Sequence, residues 1–202
     1  MPWRDLPEAF GRWNTVFRRF RRWACKGVFE GIFTALSGDP DFEYALVDGT
    51  IVRVHQHGAG AKGGTQAIGR SRGGLTTKIV ALVDALGTLA RFVLLPGQRH
   101  DSVGVEPLIA GVEFDALIAD KAFDIDWIVA ELDERGAQVV ISQHPRRTRP
   151  RPIDADLYKW RHLIENFFGK LKDFKRIALR ACKTDASFAA MIYAAAMIIN
   201  SQ

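Results

Sequence analysis

Four residues with chemically useful side chains recur at helical spacing near the end of this sequence: Tyr158, Arg161, Glu165 and Lys172. At about 100° per residue they fall within about 60° of one another. Leu157, Trp160, Ile164, Phe167, Phe168 and Leu171 gather on an apolar face beside them. A plain amphipathic helix scatters its charges over the solvent side, whereas this pattern lines a carboxylate, a phenol and two cations along the core boundary. Two further carboxylates stand out by position. Asp48 interrupts the apolar run Tyr44–Val54, and Asp120 follows the apolar run 114–119. Three carboxylates on separate elements can meet at the edge of a sheet. Two divalent ions held there would lie about 3.5–4 Å apart and clamp both oxygens of an in-line phosphoryl displacement. Mg²⁺ fits such oxygen ligands best and keeps waters for a nucleophile, with Mn²⁺ as the alternative. Tyr158, Arg161 and Lys172 would then hold a DNA phosphate and stabilise its extra charge. With 23 acids in the chain, other triples can be drawn, and Asp124 and Asp126 compete with Asp120. The end of a strand favours Asp120.

These residues need a scaffold, and the hydrophobic periodicity supplies one. Tyr44–Val54 reads as a buried strand, 76–83 and 89–95 as two strands joined by the turn 84–88, and 114–119 and 137–142 as two more. Residues 125–135 read as a helix stopped by Gly136, 157–172 as a single helix, and 184–200 as a closing apolar helix. Ser102 is placed to cap a helix running to Ala110. Residues 56–75 form a Gly-rich basic loop, and 144–153 a loop rich in Pro and Arg. The expectation is an α/β protein with a mixed five-stranded sheet flanked by helices over residues 41–202. A small helical region over residues 1–40 precedes it. There, Trp13, Val16, Phe17, Phe20, Trp23 and Ala24 share one side of a helix capped by Asn14 or Thr15, and a second helix spans 28–36.

Charge is distributed unevenly. Residues 1–40 carry seven Arg/Lys against four acids, residues 41–143 nine against fourteen, and residues 144–202 twelve against five. Basic ends suit a polyanion such as nucleic acid, and an acidic middle suits divalent cations; solvated faces explain the same numbers equally well. Arg18, Arg19, Arg21 and Arg22 on the first helix, with Arg146, Arg147 and Arg149 in the later loop, are the candidate DNA contacts. No apolar run approaches the roughly 20 residues needed to span a bilayer. Cys25 and Cys182 show neither metal-ligand spacing nor a disulfide framework, so a cytoplasmic protein is expected. His55 and His57 could face one side of a strand as zinc ligands but lack a third ligand nearby. His100-Asp101 could flank the metal site or serve a capping turn. Trp127 and Trp160 suit an apolar helix face better than base stacking.

Four ordered motifs carry a family resemblance. The pattern Tyr158-x2-Arg161-x3-Glu165-x6-Lys172 resembles the signature of bacterial insertion-sequence transposases with a DDE catalytic triad, and 157–168 resembles the insertion sequence 5 family. Val47-Asp48-Gly49-Thr50, the stretch 96–102 and the stretch 118–124 do so too, and Pro2–Pro7 followed by 13–16 is similar to the family's DNA-binding region.

The resemblance implies a ribonuclease H-like fold shared with retroviral integrases. It also implies Mg²⁺- or Mn²⁺-dependent cutting of element-end DNA, using two ions, and joining of the 3′ hydroxyl to target DNA. Asp48, Asp120 and Glu165 match the triad and metal ligands; Tyr158, Arg161 and Lys172 match the accessory signature. The implied partners are the terminal inverted repeats, target DNA and a second copy of the chain, with action at the nucleoid. Family members carry a further helical segment before the Pro-Trp-Arg-Asp-Leu-Pro stretch. The expectation is therefore the catalytic part of a longer transposase, a truncated copy, or the second frame of a split gene. An inactive remnant that only binds DNA and a nuclease that only hydrolyses are the alternative functions.

Overall fold

The computed structural model describes residues 2–61 and 64–201; Met1, Gln202, and Lys62 and Gly63 in the expected Gly-rich loop lie outside the described residues. The architecture follows from β1 (Tyr44–Val54), buried on both faces over 45–47 and alternating buried and exposed residues from Thr50 onward. It pairs antiparallel with β3 (Gly74–Val83), which pairs antiparallel with β4 (Leu89–Pro96). On its other side β1 runs parallel to β5 (Ala116–Ala119), and β5 runs parallel to β6 (Gln138–Ile141). These are the five expected strands, in the order β4-β3-β1-β5-β6. Two short strands extend the sheet. β2 (Gly69–Ser71) pairs with β3 and β7 (Leu179–Arg180) pairs with β1, making seven strands among the described residues.

Helices cover both faces of the sheet. On one face, α6 (His162–Asp173) and α8 (Asp185–Asn200) bury Ile164, Phe167, Leu171, Phe188 and Ile192 against Leu46, Ile79 and Ile118. On the other, α3 (Val105–Ile109) and α4 (Asp126–Glu134) bury Leu108, Ile128 and Leu132 against Val47, Val80 and Leu117. The mixed sheet with two helical layers is the expected ribonuclease H-like architecture. Among the described residues no helix is long and apolar enough to cross a membrane.

The N-terminal helices α1 (Trp13–Cys25) and α2 (Val28–Leu36) pack on α8, and Phe33 enters the same core as the sheet. Trp3 packs in tilted contact with Phe17 and Phe20 at ring-centroid distances of 5.5 and 5.2 Å, with the Arg176 guanidinium 5.1 Å from its centre. Helix α1 starts at Trp13 without a side-chain cap, so neither Asn14 nor Thr15 has the capping role.

Three local expectations are corrected. The single helix over 157–172 is two helices, α5 (Ala155–Lys159) and α6, joined through Trp160 and Arg161. The junction tightens to i→i+3 bonds, as Trp160 N–H donates to Leu157 O and Leu163 N–H to Trp160 O. Trp160 at the junction is 48% exposed and Trp127 on α4 is 43% exposed, so neither indole fills the core. Ser102 does not cap a helix; it lies inside a 3₁₀ turn (Asp101–Gly104) and its hydroxyl bonds His100 Nδ1 at 2.9 Å.

The hairpin between β3 and β4 sets the start of α6. Asp84 Oδ1 accepts the N–H groups of Leu86 (3.0 Å) and Thr88 (2.8 Å), and Gly87 takes the left-handed conformation at φ +78°. A side chain on Gly87 would approach Leu163 Cβ within 3.3 Å, so the turn lies directly against the first turn of α6.

A fully buried arginine locks the opposite end of the sheet. Arg180 Nη2 donates to Asp185 Oδ1 at 2.7 Å, Nη1 donates to Thr77 Oγ1 at 2.8 Å, and the guanidinium lies 4.9 Å from the Phe188 ring centre. Asp185 in turn accepts the Ala67 N–H at 2.8 Å, which ties down the end of the loop before β2. Breaking a buried pair by removing one partner costs about 3–5 kcal/mol because the remaining charge is left uncompensated. Arg180→Ala is expected to lower stability by about that amount in denaturant unfolding. A loss below about 1 kcal/mol would show that the cluster is not a structural lock.

Candidate active site

The parallel pairing of β1 and β5 decides where the two aspartates sit. The last paired residues are Val47 and Ala119, so Asp48 and Asp120 are the next residue on each of two adjacent strands. Val47 and Ala119 belong to the α3/α4 core, whereas Leu46 and Ile118 belong to the α6/α8 core. Alternation along a strand therefore turns Asp48 and Asp120 toward the α6 side. Asp120 accepts the Ala122 N–H at 2.8 Å and caps a 3₁₀ turn over Lys121–Phe123. Asp48 accepts the N–H of Gly49 at 2.7 Å.

Glu165, on the first turns of α6, reaches the aspartates through an intermediary. Arg161 Nη1 donates to Asp48 Oδ2 at 3.0 Å, and Nη2 pairs with Glu165 Oε1. The planar fork of one guanidinium thus connects two of the three acids. Burial pushes the Asp48 carboxyl above the usual carboxylate range. Asp120 and Asp101 push the same way, and the Gly49 N–H and Arg161 only partly offset them. Burial works against the Arg161 charge, but Glu165 and Asp48 outweigh it and hold the guanidinium more firmly protonated than usual.

A divalent cation suits this donor set on chemical grounds. Asp48 and Asp120 bring two carboxylates together with their repulsion incompletely offset, and the set offers oxygen only, the preference of Mg²⁺ or Mn²⁺. Asp48, Asp120 and Glu165 are the residues that would hold such an ion. Among the described residues no three His, Cys, Asp or Glu side chains already stand close enough to share one. Glu165 is turned to Arg161 instead.

The remaining candidates divide. Tyr158 lies on α5, half-buried against the α6/α8 core, and Lys172 is exposed near the end of α6. Arg18, Arg19, Arg21 and Arg22 are exposed along α1, and Arg146 and Arg149 are exposed in the later loop. Arg147 is engaged internally: Nη1 donates to Asp124 Oδ1 at 2.6 Å and Nη2 to Asp126 Oδ1 at 2.7 Å. Arg151 Nη2 joins the same Asp124 oxygen at 3.1 Å, and the His144 N–H donates to its Oδ2 at 2.9 Å. Asp124, whose side chain is 1% exposed, anchors the 144–151 loop. The expected availability of Arg147 for DNA is corrected for the same reason. His55 accepts the His57 N–H through Nδ1 at 3.2 Å and caps a 3₁₀ turn over Gln56–Gly58.

Lys78 is a residue near the site that the sequence does not assign, and its partner is Asp101 of the His100-Asp101 pair. Lys78, nearly buried within β3, forms an ion pair with Asp101, and its Nζ also donates to Arg99 O at 2.7 Å. A lone lysine inside the apolar run 75–83 is the signal that could have found it. Asp101 flanks the site; its carboxyl lies beneath Gly49, where a Cβ would meet its Cγ at 3.0 Å.

Comparison with known proteins follows the same lines. A sequence model of the family described as Transposase DDE domain matches residues 40–201, and one described as "Putative transposase of IS4/5 family" matches residues 1–33. A protein of Brucella ovis named "Putative transposase for insertion sequence element IS6501" is 39% identical over 127 residues, covering 62% of this chain and 98% of the relative. An uncharacterized protein of Sinorhizobium fredii, y4sN, is 47% identical over 60 residues, covering 30% of this chain and 48% of the relative. The DDE match spans the whole sheet and every helix from β1 onward, with Asp48, Asp120 and Glu165 inside it, and the chain belongs to the DDE-domain transposase family of insertion sequences.

Proposed function

We propose that this protein binds the ends of an insertion element and catalyses divalent-metal-dependent DNA cleavage and strand transfer. The observation that supports this best is the register of β1 and β5. It carries Asp48 and Asp120 together out of a buried sheet, onto the side where α6 presents Glu165. In this reading the three carboxylates hold two Mg²⁺ or Mn²⁺ ions, which would supply an activated water and charge neutralisation at the scissile phosphate. Arg161, Tyr158 and Lys172 bind and orient that phosphate from the α5–α6 side.

The exposed arginines Arg18, Arg19, Arg21 and Arg22 of α1 track the DNA backbone, with Arg146 and Arg149 contributing from the loop. Such contacts carry affinity without sequence information, and they release counterions. Element ends must be brought together before joining, so two copies of the chain are expected on the DNA.

Three outcomes follow. In a Mg²⁺-dependent assay on cognate inverted repeats, Asp48→Asn, Asp120→Asn and Glu165→Gln are each expected to reduce cleavage and strand transfer at least about 100-fold, the scale of losing a transition-state charge stabiliser. Unchanged strand transfer in these variants would reject the triad. Hydrolysis without joining points to a nuclease, and DNA binding with no metal-dependent product points to a remnant. Replacing Arg18, Arg19, Arg21 and Arg22 with Ala should flatten the plot of log affinity against log salt by up to about four, roughly one unit for each phosphate left without its arginine. An unaltered slope would remove α1 from the DNA path.

The third concerns Arg161. Arg161→Lys keeps the charge but loses the fork that spans Asp48 and Glu165. It should lower the melting temperature without metal and raise the stabilisation gained from Mg²⁺ or Mn²⁺, since the acids are then less well paired. Equal melting temperatures with and without metal, relative to the parent chain, would count against the bridging role.

A further inference from the structure

The segment after β4 lies flat on the sheet, on the face opposite the three carboxylates, and close-approach glycines make this possible. A Cβ on Gly97 would collide with Thr76, and one on Gly69 with the Gln98 amide. A Cβ on Gly104 would stand 2.9 Å from Val93 and 3.0 Å from Val80. The same segment brings Asp101 beneath Gly49, with all three atoms of its carboxyl 3.0–3.3 Å from the position of a Gly49 Cβ. Gly49 is the residue whose N–H bonds the Asp48 carboxylate. Asp101 therefore sits one peptide away from Asp48, on the other side of the strand.

What holds Asp101 there is Lys78. Its side chain is 10% exposed, it pairs with Asp101 Oδ1, and it donates to Arg99 O at 2.7 Å. Lys78 lies opposite Ile51 in the β1–β3 register, two residues beyond Gly49. The lysine thus reaches along the underside of β1 to place a carboxylate at the peptide that carries Asp48. Burying such a pair is costly, and a hydrophobic pair of similar volume would often serve stability as well. Its placement directly behind Asp48 points to a role at the site.

We propose that Asp101 and Lys78 are a positioning pair for Asp48. The Asp101 carboxylate fixes the Asp48–Gly49 peptide and adds negative charge behind the cation-binding acids, and Lys78 holds it in place and moderates that charge. The inference rests on the reading of Asp48 as a metal-binding residue. Asp101 is not itself a ligand, because the strand stands between it and the other acids.

The test is Mn²⁺ binding to the full chain by titration calorimetry, with the melting temperature of the metal-free protein measured alongside. Asp101→Asn should weaken Mn²⁺ binding about three- to tenfold. Lys78→Met should weaken it as well, by a smaller factor, because Asp101 loses the cation that holds it beneath Gly49, and it should lower the melting temperature. The double variant should recover much of the melting temperature yet keep the weakened binding. A merely structural clasp would lower the melting temperature in both single variants and leave the affinity at the parent value in all three, which would overturn the proposal. Asp48→Asn serves as the control. If it leaves Mn²⁺ binding intact, the metal-site reading fails and this inference falls with it. If it abolishes binding while the Asp101 and Lys78 variants bind like the parent, only the positioning role is rejected.

Discussion

The repulsion between acids gathered at the rim of an apolar sheet is the constraint on which the rest of this structure depends. Two neighbouring strands end their pairing at the same level, each on an aspartate, and the carboxylates leave a core built from Val, Ile, Leu and Ala. Each buried charge is expensive unless hydrogen-bonded or paired. The molecule answers with small local donors on both strands, the N–H of Gly49 to Asp48 and that of Ala122 to Asp120. It then adds a long-range cation, Arg161, delivered by the α5–α6 junction. These partners moderate the repulsion without removing it, and Asp48 still holds its proton more tightly than a free carboxylate would. An incompletely neutralised oxygen cluster is what a divalent ion is drawn to.

The break between α5 and α6 gains meaning from the same constraint. In an unbroken helix Arg161 and Glu165 would still be neighbours at i and i+4. At the tightened turn through Trp160 and Arg161, where Arg161 N–H donates to Tyr158 O, the guanidinium also faces β1. Gly87 braces the far side of that junction against Leu163. The indole of Trp160 is left outside by this geometry.

Much of this was legible in the sequence, and the limits have physical causes. The five main strands, the closing helix and the places of Asp48 and Asp120 beside apolar strand residues were readable because strand alternation and apolar runs report burial directly. Asp120 was separable from Asp124 and Asp126 only by its place at a strand end, and the ties of Asp124 to Arg147 and Arg151 depend on a loop whose path the sequence does not give. The α5–α6 break was not readable, because Leu157 through Leu171 keeps helical periodicity straight through it and Trp160 and Arg161 themselves remain near right-handed helical angles. β2 and β7 are three and two residues long and are defined by their partners rather than by their own pattern. Lys78 and Asp101 are 23 positions apart, and only the flat packing of the segment after β4 brings them together.

The arginines show why charge counts alone could not assign function. Arg180 is interior and pairs with Asp185; Arg147 and Arg151 converge on one nearly buried oxygen of Asp124; Arg135 donates to Ile109 O and Val112 O at 3.0 and 3.1 Å. All four contribute to the basic total, and all four are engaged within the fold. A polyanion can recruit only cations whose donors are not already satisfied by buried partners, since breaking a buried pair costs more than a phosphate contact at the surface returns. The cations left for DNA include the exposed row on α1, the loop residues Arg146 and Arg149, and Lys172. Arg161 stands between the two groups. It is partly exposed, and the half-exposed Glu165 is one of its two anchors, so the Glu165 arm of its fork is the one a phosphate at the surface can reach.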